Sequence, residues 1–422
     1  MRTMNNLGMT LLLMALVALL ALPAVAGEEM VVDGVKHIMN TAVSANGNRL
    51  VELEEVWRVG GDDGEYFFGM ISQVRIGEEG LIYLLDTLLS EVPVYSADGE
   101  RVNTLSREGD GPGETRGPYN MLFMPDGSLG LMQVFPGKVI KVQTDGTPAG
   151  TFQPGSGDPS QGGFLQMYDC STNGADVIVT AEAVSQGGPT SQDLSNFVAS
   201  FDAEGKELVR YFENSYHWDF TAFEFNEETI NRVDFRRVTV SPDGRIYVAN
   251  TRSNYEITVY NRDGSVERVI KREYEHRMRT DEEYNRIKTT TEAQLAQIPN
   301  AKIVIAKTDP DIGGLTFGPD GNLWVSNSHG GDEQPGGVMF TWDVFSPDGH
   351  FLETVSAVCD GDGRNDLMIW TGDGAAVLVT GFTEALQGLQ NRGGSGEGED
   401  DDEDDDEEAE PMEVVYFKIV GA

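Results

Sequence analysis

Apolar residues in this chain fall in short runs, and each run is cut by an Asp-Gly or an equivalent polar-Gly pair. The clearest unit is 238–270. Val238-Thr-Val leads into Ser241-Pro-Asp243-Gly244, then Arg245-Ile-Tyr-Val-Ala249. Glu256-Ile-Thr-Val-Tyr260 follows, then Asp263-Gly264 and Ser265-Val-Glu-Arg-Val-Ile270. Runs this short and this rich in β-branched and aromatic residues predict strands. A Gly after the Asp accepts the positive φ of a tight turn, so each pair predicts a hairpin. The mark recurs at Glu79-Gly80, Asp98-Gly99, Asp126-Gly127, Asp145-Gly146, Asn173-Gly174, Glu204-Gly205, Asp320-Gly321 and Asp348-Gly349. Gly80, Gly127 and Gly174 are each 47 residues apart. Repeated units of four antiparallel strands predict a radial array, an all-β, six-bladed β-propeller.

Two runs lack partners in this scheme. Leu50–Val59 precedes the first unit, and Val414–Val420 ends the last unit without an outer strand. Pairing them predicts that the N-terminal strand closes the last blade and removes both free edges. The organisation expected is a leader over 1–26, an extension over 27–49 and the propeller over 50–422. A polar insertion falls near Ser185–Asn196 in the third unit, and a Gly-rich one at Gly330–Gly337 in the fifth. One helical insertion interrupts the pattern at 273–310. Within it, Thr280-Asp-Glu-Glu283 is a capping box with acids in the first turn. Tyr284, Ile287 and Leu295 share a face, and Pro299 stops the helix, predicted over 280–298. Its apolar face must lie on the end of the ring, act as a lid, or dock a partner.

The ends and the charge narrow the class. Arg2, the apolar run Leu11–Leu22 and Ala24-Val25-Ala26 read as a secretory leader cut near Ala26. The run is too short to span a bilayer, which takes about 20 residues. No Cys follows the cut, which argues against a lipid anchor. The mature chain is therefore expected to be soluble, exported to the periplasm or beyond, and monomeric, with no membrane insertion. Net charge is −40, which disfavours nucleic acid and anionic membranes. Glu397–Glu410 holds 12 acids and reads as a disordered acidic loop, 391–411, out of the last blade. Cys170 and Cys359 are expected on the inner strands of the third and sixth blades, too far apart to bridge.

Several residue groups can carry chemistry. Asp360-Gly-Asp362-Gly-Arg364-Asn-Asp366 alternates carboxylates around Gly363, as oxygen-donor loops for calcium do. The ligands would be Asp360, Asp362, the Arg364 carbonyl and Asp366, with Val358 standing where a first acidic ligand belongs; a metal-free turn is the competing reading. Residues 232–288 carry 13 Lys or Arg against 10 Asp or Glu, in a chain otherwise dominated by acid. There Arg252, Arg277, Arg279 and Arg286, with Tyr255, can form an anion-binding rim or pair with local acids. Loops after second strands bring Asp86, Asn250, Asn327 and His329 toward one end of a channel. His217, His276 and His329 show no spacing that fixes a zinc site. No nucleophile elbow and no P-loop is present. Trp57, Trp218, Trp324, Trp342 and Trp370 fall in strand patterns and suit packing between blades.

Leu81-Ile-Tyr-Leu-Leu-Asp86, Val92-Pro-Val-Tyr95-Ser-Ala-Asp98-Gly99 and Gly109-Asp-Gly-Pro-Gly-Glu114 resemble the exported bacterial six-bladed β-propeller proteins. Arg245-Ile-Tyr-Val-Ala-Asn250 with Ile257-Thr-Val-Tyr260 resembles the NHL repeat. The resemblance spans nearly all of the mature chain and implies the fold; it assigns no activity, and fold does not fix function. The reading is a binding or scaffold module that meets an unknown protein or small ligand at one end of the ring. The alternative is a metal-dependent hydrolase or lyase, like NHL-type amidating lyases or gluconolactonases, with its site at the channel mouth.

Overall fold

The computed structural model describes residues 27–420 apart from 63, 65, 156–162, 231, 333, 335, 372–373 and 393–410. The expected leader over 1–26 and the acidic run Glu397–Glu410 lie outside the described residues. The chain opens with β1 (Glu28–Val32), β2 (Val35–Asn40) and β3 (Asn48–Gly60). A first quartet follows: β4 (Ile71–Ile76), β5 (Ile82–Asp86), β6 (Val92–Tyr95) and β7 (Arg101–Leu105). The second is β8 (Pro118–Phe123), β9 (Leu129–Gln133), β10 (Lys138–Val142) and β11 (Pro148–Phe152). The third is β12 (Phe164–Thr172), β13 (Val177–Gly188), β14 (Ser191–Phe201) and β15 (Glu207–Asp219). After the short β16 (Glu224–Asn226) comes the fourth: β17 (Val238–Val240), β18 (Ile246–Val248), β19 (Glu256–Tyr260) and β20 (Val266–Arg272). Helix α1 (Asp281–Gln294) and β21 (Lys302–Val304) precede the fifth: β22 (Ile312–Phe317), β23 (Leu323–Asn327), β24 (Val338–Phe345) and β25 (Phe351–Val358). The chain ends with β26 (Leu367–Trp370), β27 (Ala375–Val379), helix α2 (Phe382–Arg392) and β28 (Glu413–Val420).

The result is an all-β fold with a propeller-like arrangement of sheets. The sheets do not separate into six blades. Three stand alone with four strands each, one has six strands and one has eight, beside the two-stranded parallel pair β16–β21. The reason lies in the N-terminal strands, which join edges that would otherwise be free. β2 lies parallel on β20, so the β1–β2 hairpin widens the fourth quartet to six strands. β3 pairs in parallel with β25 through Asn48–Glu52, then antiparallel with β28 through Glu52–Gly60. That bridge fuses β22–β25 and β26–β28 into the eight-stranded sheet.

Turn chemistry explains the quartets. In the unit 238–270 the Ser241 N–H donates to the Arg245 carbonyl at 2.9 Å, and the Gly244 N–H donates to Ser241 at 2.8 Å. Gly244 has φ 85°, a left-handed value that Asp243 does not share. This is a turn closed by a glycine bulge, and the strand register shifts just before several such turns, as at Val259/Tyr260 and Val344/Phe345. The polar stretch Ser185–Asn196 is no loop: it is the tip of the long β13–β14 hairpin.

Packing between quartets comes in discrete apolar clusters. One holds Leu85, Val94 and Leu131, from the first and second quartets. Another holds Met132, Met167 and Val179, from the second and third. A third unites Val198 with Val248, and a fourth Ile257 with Val325. A fifth sets Trp342 and Val355 against Leu378 and Phe417. The last sets Leu84 and Tyr95 against Val377 and Tyr416, with Trp57 of β3 among them.

The helices differ from expectation in different ways. α1 has Thr280 as its N-cap in a complete capping box with Glu283. None of its residues is fully buried; Tyr284 and Ile287 are only half-buried. Its anchor is electrostatic: Arg277 reaches Glu283 at 2.9 Å, Asp309 at 2.7 Å and Asp332 at 2.9 Å. α2 was not expected at all, and its last residues begin the segment assigned to the acidic loop. Cys170 sits on β12 and Cys359 follows β25, off the inner strand it was expected to occupy; both are free thiols.

Trp57 tests the bridging strand. Its ring stacks on Tyr95 at 5.7 Å and on Tyr416 at 5.1 Å, and its Nε1 donates to the Ala97 carbonyl at 3.2 Å. Trp57→Ala should lower unfolding free energy by about 3–5 kcal/mol in urea titrations. A loss below about 1 kcal/mol would mean that this contact does not tie the first quartet to β28.

Candidate binding site in the cavity between inner strands

The residues singled out in the sequence do not form one site. Asp86 is fully buried and holds the turn after β5, accepting from the N–H groups of Gly69 at 2.8 Å, Met70 at 3.1 Å and Leu89 at 3.0 Å. Tyr255 and Asn327 do meet, at the buried carboxyl of Asp343, where they donate at 2.7 Å and 2.8 Å. Arg272 donates to the same oxygen at 2.6 Å. Burial pushes the Tyr255 hydroxyl well up, with the Asp343 charge adding to it. His329 stands beside this group: its N–H donates to Asn327 at 3.0 Å and its Nδ1 lies 2.7 Å from Asp332. Asn250 is half-buried, with no partner for its Oδ1 among the described residues.

Arg252 and Arg279 meet at Glu227. Arg252 reaches it at 3.1 Å and Arg279 at 2.7 Å, while Arg279 also reaches Asp309 at 2.8 Å. Burial alone would raise the Glu227 carboxyl; hydrogen bonds from Arg279 and the Ala306 N–H hold it below its ordinary value. The contacts therefore do not build the anion rim of Arg252, Tyr255 and Arg279, because each polar head is already engaged inside the protein.

The 360–366 loop likewise spends its oxygens on itself. Asp366 accepts from the N–H groups of Gly381 at 2.9 Å and Asp362 at 2.8 Å, and Asp362 accepts from the Arg364 N–H at 2.8 Å. The Arg364 carbonyl takes the Thr383 hydroxyl at 2.9 Å, and its guanidinium pairs with Asp332. Asp360 is exposed. Among the described residues no three His, Cys, Asp or Glu side chains converge as metal donors. His217 and His276 lie with Asp193 and Asp311, each at 2.7 Å.

A different set converges. The first strands β4, β8, β12, β17, β22 and β26 all contribute to one cavity of about 440 Å³. The inner strands carry bulges at matching places: the register shifts at Ile71/Gln73, Pro118/Asn120, Met167/Asp169 and Ile312/Gly314. In each case the residue after the shift lines the cavity. A bulge re-aims the chain locally, so these four positions point at a shared space. Asp169 accepts from the Cys170 N–H at 2.8 Å and from the Asn120 amide. Arg75 donates to Gln73 at 3.0 Å and to the Val74 carbonyl at 2.8 Å. Arg236 has φ 64°, rare for a non-glycine residue, and its guanidinium lies 5.0 Å from the ring centre of Phe382, the first residue of α2.

Charge in this cavity is poorly compensated. Arg75 and Arg236 have no carboxylate within ion-pair distance among the described residues, unlike Arg252, Arg272, Arg277 and Arg279. Burial lowers the pKa of both. Burial also pushes Asp169 up to about 6, although Arg75 and the Cys170 N–H pull the other way. Sequence reasoning missed this group because none of its members lies in a motif. The 47-residue step was a usable signal, since it places Gln73 and Asn120 at the same point of successive units.

With this geometry in place the chain can be set beside known proteins. No protein-family model and no curated protein sequence matches it. Solved structures do. A protein of Bacteroides fragilis assigned as exported is 10% identical, with TM-score 0.50 over 90% of this chain and 99% of that one. The calcium-binding protein regucalcin of Agrobacterium tumefaciens is 10% identical, with TM-score 0.40 over 87% of this chain and 96% of that one. Virginiamycin B lyase of Staphylococcus aureus is 11% identical, with TM-score 0.40 over 76% and 80%. The first of these supports the fold and nothing finer. No described helix is long and apolar enough to cross a membrane.

Asp169 generates a test of the cavity's electrostatics. Its folded pKa, about 6, exceeds the ordinary value of 3.8, so the folded protein binds this proton more tightly than the unfolded chain. Its contribution to stability is full below the unfolded pKa and is lost as pH rises through the folded one. Asp169→Asn mimics the protonated group. Relative to wild type, the variant should gain up to about 3 kcal/mol between pH 4 and pH 7 in paired urea titrations. A stability difference that stays flat across that window would show that the carboxyl is not perturbed.

Proposed function

We propose that this chain is an exported six-bladed β-propeller acting as a binding module, and that its ligand enters the cavity between the inner strands. The observation that carries the reading is that cavity. It draws side chains from β4, β8, β12, β17, β22 and β26 and gathers Arg75, Arg236 and Asp169 in one space. Pockets of a few hundred Å³ with few convergent polar groups suit small molecules.

Six blades are supported by the apolar clusters, which link each quartet to the next and the last to the first. In this reading β3 is the outer strand of the sixth blade, and its first residues fasten that blade to the fifth. Closure of this kind leaves the sixth blade no free edge there. Export rests on the leader read in 1–26. For the hydrolase or lyase reading, no three His, Cys, Asp or Glu side chains converge as a donor set among the described residues.

The test is a thermal-shift screen of small metabolites against wild type and two cavity-filling variants, Thr239→Trp on β17 and Ser171→Trp on β12. Compounds that raise the wild-type Tm should lose that effect in both variants, with circular dichroism unchanged. Hits that stabilise all three proteins equally would place the ligand elsewhere and overturn the proposal.

A further inference from the structure

The cavity lining mixes two kinds of side chain: polar groups that include Arg75, Arg236 and Asn120, and an aromatic and thioether set that includes Trp342, Trp370 and Met339. Trp342 and Trp370 lie edge to face with ring centres 5.2 Å apart. Neither guanidinium group has a carboxylate within ion-pair distance among the described residues, although Asp169 acts on Arg75 more strongly than Arg236 does. Among the described residues Asn120, 3% exposed, has no partner for its Oδ1, and Trp370, 7% exposed, has none for its Nε1.

Resting on the cavity reading above, we infer that the ligand is a small organic acid, whose carboxylate lies between Arg75 and Arg236 and whose apolar body lies against Trp342 and Trp370. Guanidinium groups bind carboxylates through paired, charge-assisted hydrogen bonds. Two of them facing one space, in a chain of net charge −40, are the reverse of what the overall composition would place there. Of the lining carboxyls, Asp169 acts on both guanidinium groups, so one carboxylate serves two arginines and the pair keeps an excess of positive charge. Asp366 has both oxygens taken by backbone N–H groups, and Asp169 is engaged by Asn120 and the Cys170 N–H. The third cavity arginine, Arg364, is already paired with Asp332. The backbone at Arg236 is also unusual, with a left-handed φ of 64° on a non-glycine residue.

The experiment uses the full mature chain and matched probes: benzoate, phenylacetate and 3-phenylpropionate, each against its primary amide, with acetate and inorganic phosphate as head-group controls. Binding is read by titration calorimetry on wild type, Arg75→Gln, Arg236→Gln, the conservative Arg75→Lys, and Thr239→Trp. At least one acid should bind wild type more tightly than its amide, acetate or phosphate. That preference should fall about tenfold or more in each Gln variant and less in Arg75→Lys, which keeps the charge but loses the fork. Melting curves show which variants are folded, and Arg75→Lys keeps the comparison open if a Gln variant is not.

Acids and amides binding alike, both blocked by Thr239→Trp, would overturn the carboxylate assignment and leave the cavity reading intact. Failure of every acid, while other compounds bind in a Thr239→Trp-sensitive way, would do the same. Phosphate outcompeting every acid would replace the organic acid with a phosphoryl ligand. Binding of all probes insensitive to Thr239→Trp would overturn both readings.

Discussion

The arrangement depends most on the hydrogen bonds that β3 makes to two strands far along the chain. Residues 48–52 lie on β25, and residues 52–60 lie on β28. Without that strand β28 would present one row of bare N–H and C=O groups, and β25 another. Open edges invite pairing with a second chain. The same strand carries Trp57 into the cluster between the first quartet and β28, so one element ties start to end both by ladder and by stacking. Its outward residues, Glu52, Glu54 and Glu55, stay in water, and the alternation of apolar and acidic positions sets which face packs.

Fixing the sheets this way fixes what lies between them. The inner strands carry bulges without losing their register as a whole, because each ladder to the second strand continues on both sides of the shift. The bulges turn Gln73, Asn120 and Asp169 toward one space. A loop could not hold those groups as firmly; strand positions set by long-range packing can. The buried hydroxyl of Thr87 supports this from behind, donating at 2.8 Å to the Pro118 carbonyl of β8 and lying 2.7 Å from the Ser72 hydroxyl of β4, from which it accepts.

Legibility in the sequence followed the range of the forces involved. The Asp-Gly turns, the β-branched runs and the Thr280–Glu283 box are set by neighbours a few residues away, and the fold contains all three. The pairing of β3 with β28 is long-range, yet a strand without a partner at each end made it a reasonable expectation. What went unread needed contacts that no local pattern encodes. The β1–β2 hairpin turns at Asp33-Gly34, where both residues have positive φ. That signal was available, but its docking on β20 was not. α2 shows Phe382, Ala385, Leu386 and Leu389 at helical spacing, hidden beside an acidic run that drew the eye to disorder. Candidate sites fared worst. A polar residue in a loop, such as Asn327 or Arg279, looks alike whether it waits for a ligand or holds a neighbour, and here the neighbours hold them.

The acidic surface and the basic cavity then belong to one argument. Beyond about 8 Å in physiological salt, exposed charges are largely screened, so the net −40 governs solubility and encounter rather than what happens inside. Inside, desolvation rules. A guanidinium withdrawn from water without a partner is costly, and the fold elsewhere offsets that cost with an acid, as Glu227 does for Arg252 and Arg279 and Asp343 does for Arg272. Acids are the most abundant charged residues in the chain, so composition supplied no shortage of partners for Arg75 and Arg236. Here the two share one nearby carboxylate, Asp169, and a second negative charge is one that a molecule from outside can bring.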